Sequence, residues 1–202
     1  MKEMLGEEYA AFYASYDLPK YQALRINPLK TERDTFLLQA PFSLNRVPWT
    51  TNGYYYSGND QPGRHPYHEA GVYYIQEPSA MAPAEYLMAE PGERILDLCA
   101  APGGKSSQIA CSMQGEGLIV CNEIHPARAK ILSENIERMG VCNALVTNET
   151  PQKLSDNFRE YFDRILVDAP CSGEGMFRKD ADMVKDWLEH LSLIPISEPT
   201  RP

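Results

Sequence analysis

Three stretches of the chain combine residue types that could do chemistry. The run Leu96–Ser107, L-D-L-C-A-A-P-G-G-K-S-S, sets Asp97 ahead of Cys99, Ala100, Ala101, Pro102, Gly103 and Gly104, then Lys105. Small side chains let a ligand approach the backbone of a turn. A helix starting at Lys105 would offer free N–H groups and a partial positive charge to a carboxylate, worth about 0.3–1 kcal/mol. The second stretch is Asn122-Glu123, at the end of an apolar run. A carboxylate at such a strand tip can accept hydrogen bonds from both hydroxyls of a ribose, as in dinucleotide-binding sheets. The competing structural use of Glu123 is a favourable charge at the start of the helix that Pro126 announces. The third stretch is D-A-P-C-S-G-E-G-M-F-R-K, Asp168–Lys179. Pro170 fixes the backbone as it leaves a strand, and Gly173 and Gly175 permit tight turns that would present Cys171. A lone cysteine is usually a small buried hydrophobe, but this polar, glycine-rich setting favours function. Arg178 and Lys179 could lower the pKa of Cys171 or meet phosphate, or as surface charges do neither.

A nucleotide-triphosphate reading competes for the first stretch. Gly104-Lys105-Ser106 matches the end of a G-x-x-x-x-G-K-[ST] loop, and Ile165–Asp168 could pass for the acidic strand that helps hold magnesium. The first glycine of such a loop would fall at position 99, where the chain has Cys99. No G-x-G-x-x-G fingerprint is present either. A small-residue turn, an acid at the next strand tip and no phosphate nest suit an adenosine ligand that carries an amino acid, namely S-adenosylmethionine. A non-catalytic RNA-binding or ribosome-assembly protein is the third reading.

These residues need elements to position them. After Pro91 the pattern is regular: strands over Arg94–Leu98, Gly117–Cys121, Ala144–Thr147 and Arg164–Val167 alternate with a helix from Lys105 to about Met113 and one that has Pro126 near its first turn and Gly140 just past its end. Short apolar strands alternating with helices predict a parallel sheet covered on both faces. Upstream, a helix is expected from Leu5 to Tyr16, with Tyr9, Phe12, Tyr13 and Tyr16 as a core-facing stripe. Base stacking on RNA is the minority reading of that stripe. Short strands are expected at Leu24–Leu29 and Thr35–Leu38, an irregular linker from Val47 to Tyr67, and a helix from Ser79 to Met88. His65 and His68 in the linker have no third ligand nearby, so no metal site is expected. The resulting organisation is a small α/β domain over 1–75, a sheet domain over 76–191, and an irregular proline-rich tail over 192–202, open as to whether it is native. The sheet is expected to be incomplete at its C-terminal side.

The net charge is -9, with 43% hydrophobic and 23% charged residues. That balance fits a globular protein and argues against a strong non-specific nucleic-acid binder. No apolar run approaches the roughly 20 residues of a membrane span. The acid-rich start, M-K-E-M-L-G-E-E-Y, argues against a signal peptide. Five cysteines without a C-x-x-C pair suit reduced thiols, so the cytoplasm is expected.

The runs C-A-A-P-G-G-K (Cys99–Lys105) and D-A-P-C-S-G-E-G (Asp168–Gly175) resemble the RNA 5-methylcytosine methyltransferases of the NOL1/NOP2/Sun type. L-R-I-N-P-L-K (Leu24–Lys30), H-E-A-G-V-Y-Y-I-Q-E-P-S-A-M (His68–Met81) and G-E-G-M-F-R-K-D (Gly173–Asp180) extend the resemblance toward bacterial members acting on small-subunit (16S) ribosomal RNA. The resemblance implies a Rossmann-like S-adenosylmethionine-dependent sheet, with the cofactor held by Cys99–Lys105 and Glu123. It implies that Asp168 lies near the methionine end of the cofactor and the target base, and that Cys171 helps release the product. It further implies a second, nucleophilic cysteine in a T-C motif, which is absent from the 202 residues, so this chain is expected to bind cofactor without turnover. The thiolate would add at carbon 6 of cytosine and make carbon 5 nucleophilic, on a base taken out of its stack. Where relatives have an aspartate for the adenine, this chain has T-N-E-T, leaving Asn148, Glu149 or Thr150 for that contact.

Overall fold

The computed structural model describes residues 2–18 and 20–169. The N-terminal segment is helical but broken: α1 (Lys2–Leu5) and α2 (Tyr9–Ala14) are separated by a 3-10 turn at Gly6–Glu8 and followed by another at Ser15–Asp17. Neither α1 nor α2 buries a residue, which corrects the expected core-facing stripe. Aromatic side chains three and four positions apart on a helix meet each other. Tyr9 stacks on Tyr13 and Phe12 packs edge-on against Tyr16, with ring centroids 6.0 and 5.4 Å apart.

Residues Tyr21–Asp168 form one compact unit with two sheets. The first is antiparallel, ordered β2 (Leu44–Arg46), β3 (Gly53–Tyr56), β1 (Ala23–Ile26), β4 (Tyr73–Ile75). Its central strand β1 is buried throughout, because Leu24 and Ile26 pack on one face with Phe36, Tyr54 and Tyr73. The segment expected as a strand at Thr35–Leu38 instead lies in helix α3 (Arg33–Gln39). A short run such as T-F-L-L does not distinguish strand from helix by period alone. Asp34 in the first turn and a single buried residue, Phe36, fit a short surface helix. The stretch expected to be irregular, Val47–Tyr67, contains β3 and, after a 3-10 turn, the start of α4 (Pro66–Glu69). Three consecutive tyrosines, good strand formers, make β3 where glycine and asparagine neighbours read as loop.

The second sheet is parallel, ordered β7 (Ala144–Thr147), β6 (Leu118–Asn122), β5 (Arg94–Asp97), β8 (Arg164–Leu166). All four strands lie within a residue or two of their expected positions. Helices α5 (Pro78–Leu87), α6 (Gly104–Met113) and α7 (Pro126–Met139) are also close to expectation, and α7 ends at Gly140 in the left-handed region. Helix α8 (Pro151–Asn157) is new; its only buried residue is Leu154, so it has no periodic apolar signal. One core gathers Ile95, Ile109, Ile119, Leu132 and Ile136; Leu96, Val120 and Leu154 form a second. Neighbours along β5 thus enter different clusters, as in a sheet covered on both faces. Asn27, just after β1, donates to the Gly71 and Met139 carbonyls, each at 2.8 Å, and so ties the small sheet to the end of α7. Among the described residues no helix is long and apolar enough to cross a membrane.

Candidate active site

The parallel strands β5, β6 and β8 bring their carboxyl ends together, where ligands of open α/β sheets sit. The loop from Cys99 to Gly103 makes a tight turn: the Gly103 N–H donates to the Ala100 carbonyl, and the Ala100 N–H to the Asn122 carbonyl, both at 2.8 Å. The Ala101–Pro102 peptide is cis, and Gly103 has φ +107. A Cβ at Gly103 would come within 3.2 Å of Leu132 Cδ1, so both conformation and space call for glycine here. Helix α6 then starts at Gly104 with no side-chain cap, leaving its first-turn amides as a positive, donor-rich end.

Asp97 closes β5 and is 1% exposed. Its Oδ2 accepts a hydrogen bond from Ser106 Oγ at 2.7 Å, whereas its Oδ1 has no partner among the described residues. The backbone of Cys99 eases the charge without completing a hydrogen bond. Burial pushes the carboxyl up to about 6, opposed by the Ser106 bond and the Lys105 charge. Lys105 Nζ pairs with Asp168 Oδ2 at 2.7 Å, so α6 and the residues after β8 meet across the end of β5. Cys99 is half-buried, and its thiol is pushed up by burial and by Asp97, Glu123 and Asp168. It is therefore a neutral wall of the loop.

Glu123 follows β6 and is 2% exposed. Its Oε1 accepts from the His125 N–H at 3.0 Å, and its Oε2 pairs with Arg128 Nη1 at 3.1 Å. The other arm of Arg128 donates to the Ala101 carbonyl at 3.0 Å, so one guanidinium links the strand tip to the small-residue turn. The buried Asn122 side chain accepts from Thr147 Oγ1 and the Glu149 N–H and donates to the Leu98 and Glu149 carbonyls. It fastens three loops at the sheet's carboxyl edge. Among the candidates for an adenine contact, Thr150 caps α8, the Glu149 carboxylate pairs with Lys153 and Asn148 donates to the Glu123 carbonyl.

The structure thus brings together Cys99, Ala100, Ala101, Pro102, Gly103, Gly104, Lys105, Glu123 and Asp168. Cys171 lies outside the described residues. Sequence reasoning gave no ligand role to Asp97, Ser106, Asn122 or Arg128. The available signal was polar residues ending apolar strands, Asp97 and Asn122. His65 caps α4 through Nδ1, and among the described residues no group of three or more His, Cys, Asp or Glu side chains is placed to hold a metal ion. The residue chemistry is compatible with a ligand that has an amino-acid end: the buried carboxylate oxygen of Asp97 lacks a donor among the described residues, and the N-terminus of α6 beside it has no side-chain cap.

Residues 84–190 match the family profile described as 16S rRNA methyltransferase RsmB/F. The chain belongs to this family. Residues 1–78 match the N-terminal domain of 16S rRNA methyltransferase RsmF. The chain is 39% identical over 200 residues to ribosomal RNA small subunit methyltransferase F of Erwinia tasmaniensis, covering 94% of this chain and 42% of that protein. It is 40% identical over 185 residues to the protein of the same description from Escherichia coli O157:H7, covering 87% and 39%. The chain therefore spans about two fifths of the length of these relatives. A methyltransferase homologue from Pyrococcus horikoshii superposes with TM-score 0.77 at 31% identity, over 90% of this chain and 60% of that one. The structure of NSun6 from Pyrococcus horikoshii with SFG superposes with TM-score 0.74 at 20% identity, over 85% and 69%, and speaks for the fold. Fold and family are those of S-adenosylmethionine-dependent methyltransferases, in agreement with the cofactor and fold class read from the sequence.

Proposed function

We propose that the protein takes part in methylating carbon 5 of a cytosine in small-subunit ribosomal RNA, and that Cys99–Lys105, Glu123 and Asp168, joined by Asp97, hold the cofactor. The observation carrying this reading is the pairing of Asp97 Oδ1, a buried acceptor without a partner, with the uncapped start of α6. Asp97 would accept from the ammonium group of the cofactor's amino acid, the first-turn amides of α6 would donate to its carboxylate, and Glu123 would accept from the ribose hydroxyls. Arg128 would keep Glu123 turned toward the small-residue turn. When bound, S-adenosylmethionine supplies an electrophilic methyl group. Lys105 pairs with Asp168 just beyond β8, and the exposed carboxylate would be available to hydrogen-bond a base.

Cys171 is assigned to product release on the strength of the sequence resemblance. The T-C motif that would carry the nucleophile does not occur in the 202 residues, so the chain as given is expected to bind cofactor without methylating RNA. A ribosomal RNA substrate would place its work in the cytoplasm. Isothermal calorimetry with S-adenosylhomocysteine, with ATP and magnesium as the control, tests the reading. Binding of the first alone supports it, and binding of ATP alone would return the site to the nucleotide-triphosphate alternative. RNA affinity with neither ligand bound would favour the assembly-protein alternative.

A further inference from the structure

Arg25, at the centre of β1, is 1% exposed and among the largest fully buried side chains. A buried guanidinium normally faces a carboxylate, because stripping it of water costs several kcal/mol. Among the described residues none forms a salt bridge with Arg25. Its Nε donates to Gln76 Oε1 at 3.0 Å, and its Nη2 donates to the Gly104 carbonyl at 3.1 Å and to Ser107 Oγ at 2.8 Å. Its Nη1 lies 3.7 Å from Cys111 Sγ. Burial lowers its pKa, partly offset by Cys111, Tyr74 and Glu85. The cation thus sits against the first turn of α6, the helix end where the macrodipole disfavours positive charge. An apolar side chain of similar volume would fill the space without that cost.

We infer that Arg25 is a positioning residue that makes the start of α6 selective for a carboxylate, a role that rests on the cofactor reading above. Two physical links carry it. The Gly104 carbonyl and the Lys105 N–H belong to one peptide unit, so a charged donor on the carbonyl polarises the amide and strengthens the bond it can give. The guanidinium also adds a full positive charge behind an anion-binding helix end, in surroundings where screening is weak. The geometry of the loop depends on the same neighbours. A Cβ at Gly104 would stand 3.2 Å from Tyr74 Cε1 and 3.6 Å from the Gln76 amide. Strands β1 and β4 of the small sheet therefore form the back wall of the cofactor loop.

The test compares two ligands that differ only in the carboxylate, S-adenosylhomocysteine and its decarboxylated analogue, by calorimetry on the wild-type chain and on Arg25→Met and Arg25→Lys. Arg25→Met is expected to weaken S-adenosylhomocysteine about tenfold and the decarboxylated analogue less than about twofold. Arg25→Lys keeps the charge and is expected to keep most of the preference, which preserves the test if Arg25→Met does not fold. Equal weakening of both ligands by Arg25→Met, or a lost preference in Arg25→Lys, would reduce Arg25 to a packing residue and overturn the inference. A wild-type chain that takes up neither ligand would overturn the cofactor reading, and the role of Arg25 with it.

Discussion

Ser106 donates to Asp97 Oδ2 at 2.7 Å, while the other oxygen of the same carboxylate has no partner among the described residues. The cost of that half-satisfied acid depends on pH. Burial raises the folded-state pKa from 3.8 to about 6, so between those values the folded chain binds a proton that the unfolded chain has released. Stability from this group is therefore greatest below about 4, falls as pH rises to about 6, and stays low above it. At about 1.4 kcal/mol per unit the ionised form costs on the order of 3 kcal/mol. Asp97→Asn should stabilise the ligand-free chain in urea unfolding at pH 7.5, with the gain shrinking toward pH 4.5. An unchanged difference at the two pH values would mean that Asp97 does not titrate in this range.

Cofactor binding should show the opposite preference. An ammonium group brought to Asp97 favours the ionised carboxylate, so affinity for S-adenosylhomocysteine is expected to rise as pH increases through about 6 in the wild type. The slope should disappear in Asp97→Asn. A wild-type affinity that is flat from pH 5 to 7.5 would remove Asp97 from the ligand site.

Glu123→Ala is expected to weaken S-adenosylhomocysteine by about 1–3 kcal/mol, the scale of buried hydroxyls left without an acceptor. The same change frees Arg128 from its partner at 3.1 Å, so thermal unfolding of the ligand-free chain must be measured beside the calorimetry. A fall in melting temperature with no change in affinity would assign Glu123 to the turn alone.

The parallel sheet was legible in the sequence because each strand is a short apolar run between helix punctuation, and Pro126 and Gly140 bracket α7. The loop and Glu123 were legible because strand ends are where such sheets bind ligands. The small antiparallel sheet was not, since Gly53–Tyr56 sits among glycine, asparagine and proline, and its pairing with Ala23–Ile26 is non-local. Nor was Arg25 legible. An arginine between Leu24 and Ile26 reads as the exposed face of a strand, and residues far along the chain, Gln76 and the first turn of α6, cover it. Arg128 was hidden in the same way, as one more charge on an amphipathic helix whose partner Glu123 lies on the preceding strand end.

Gly103 offers the last discriminating change. With φ +107 it occupies backbone space that side chains disfavour, and an added Cβ would press on Leu132 Cδ1 at 3.2 Å. Leu132 is fully buried, so the turn cannot shift without disturbing the main core. Gly103→Ala should cost about 1–3 kcal/mol of stability and weaken S-adenosylhomocysteine more than tenfold, since the turn it distorts leads directly into the α6 amides. Leu132→Ala in the same background relieves the clash but leaves a cavity, typically costing about 2–5 kcal/mol. If it restores affinity while lowering stability further, the turn geometry rather than global stability governs cofactor binding. If affinity falls in step with stability in both variants, the loop has no role of its own.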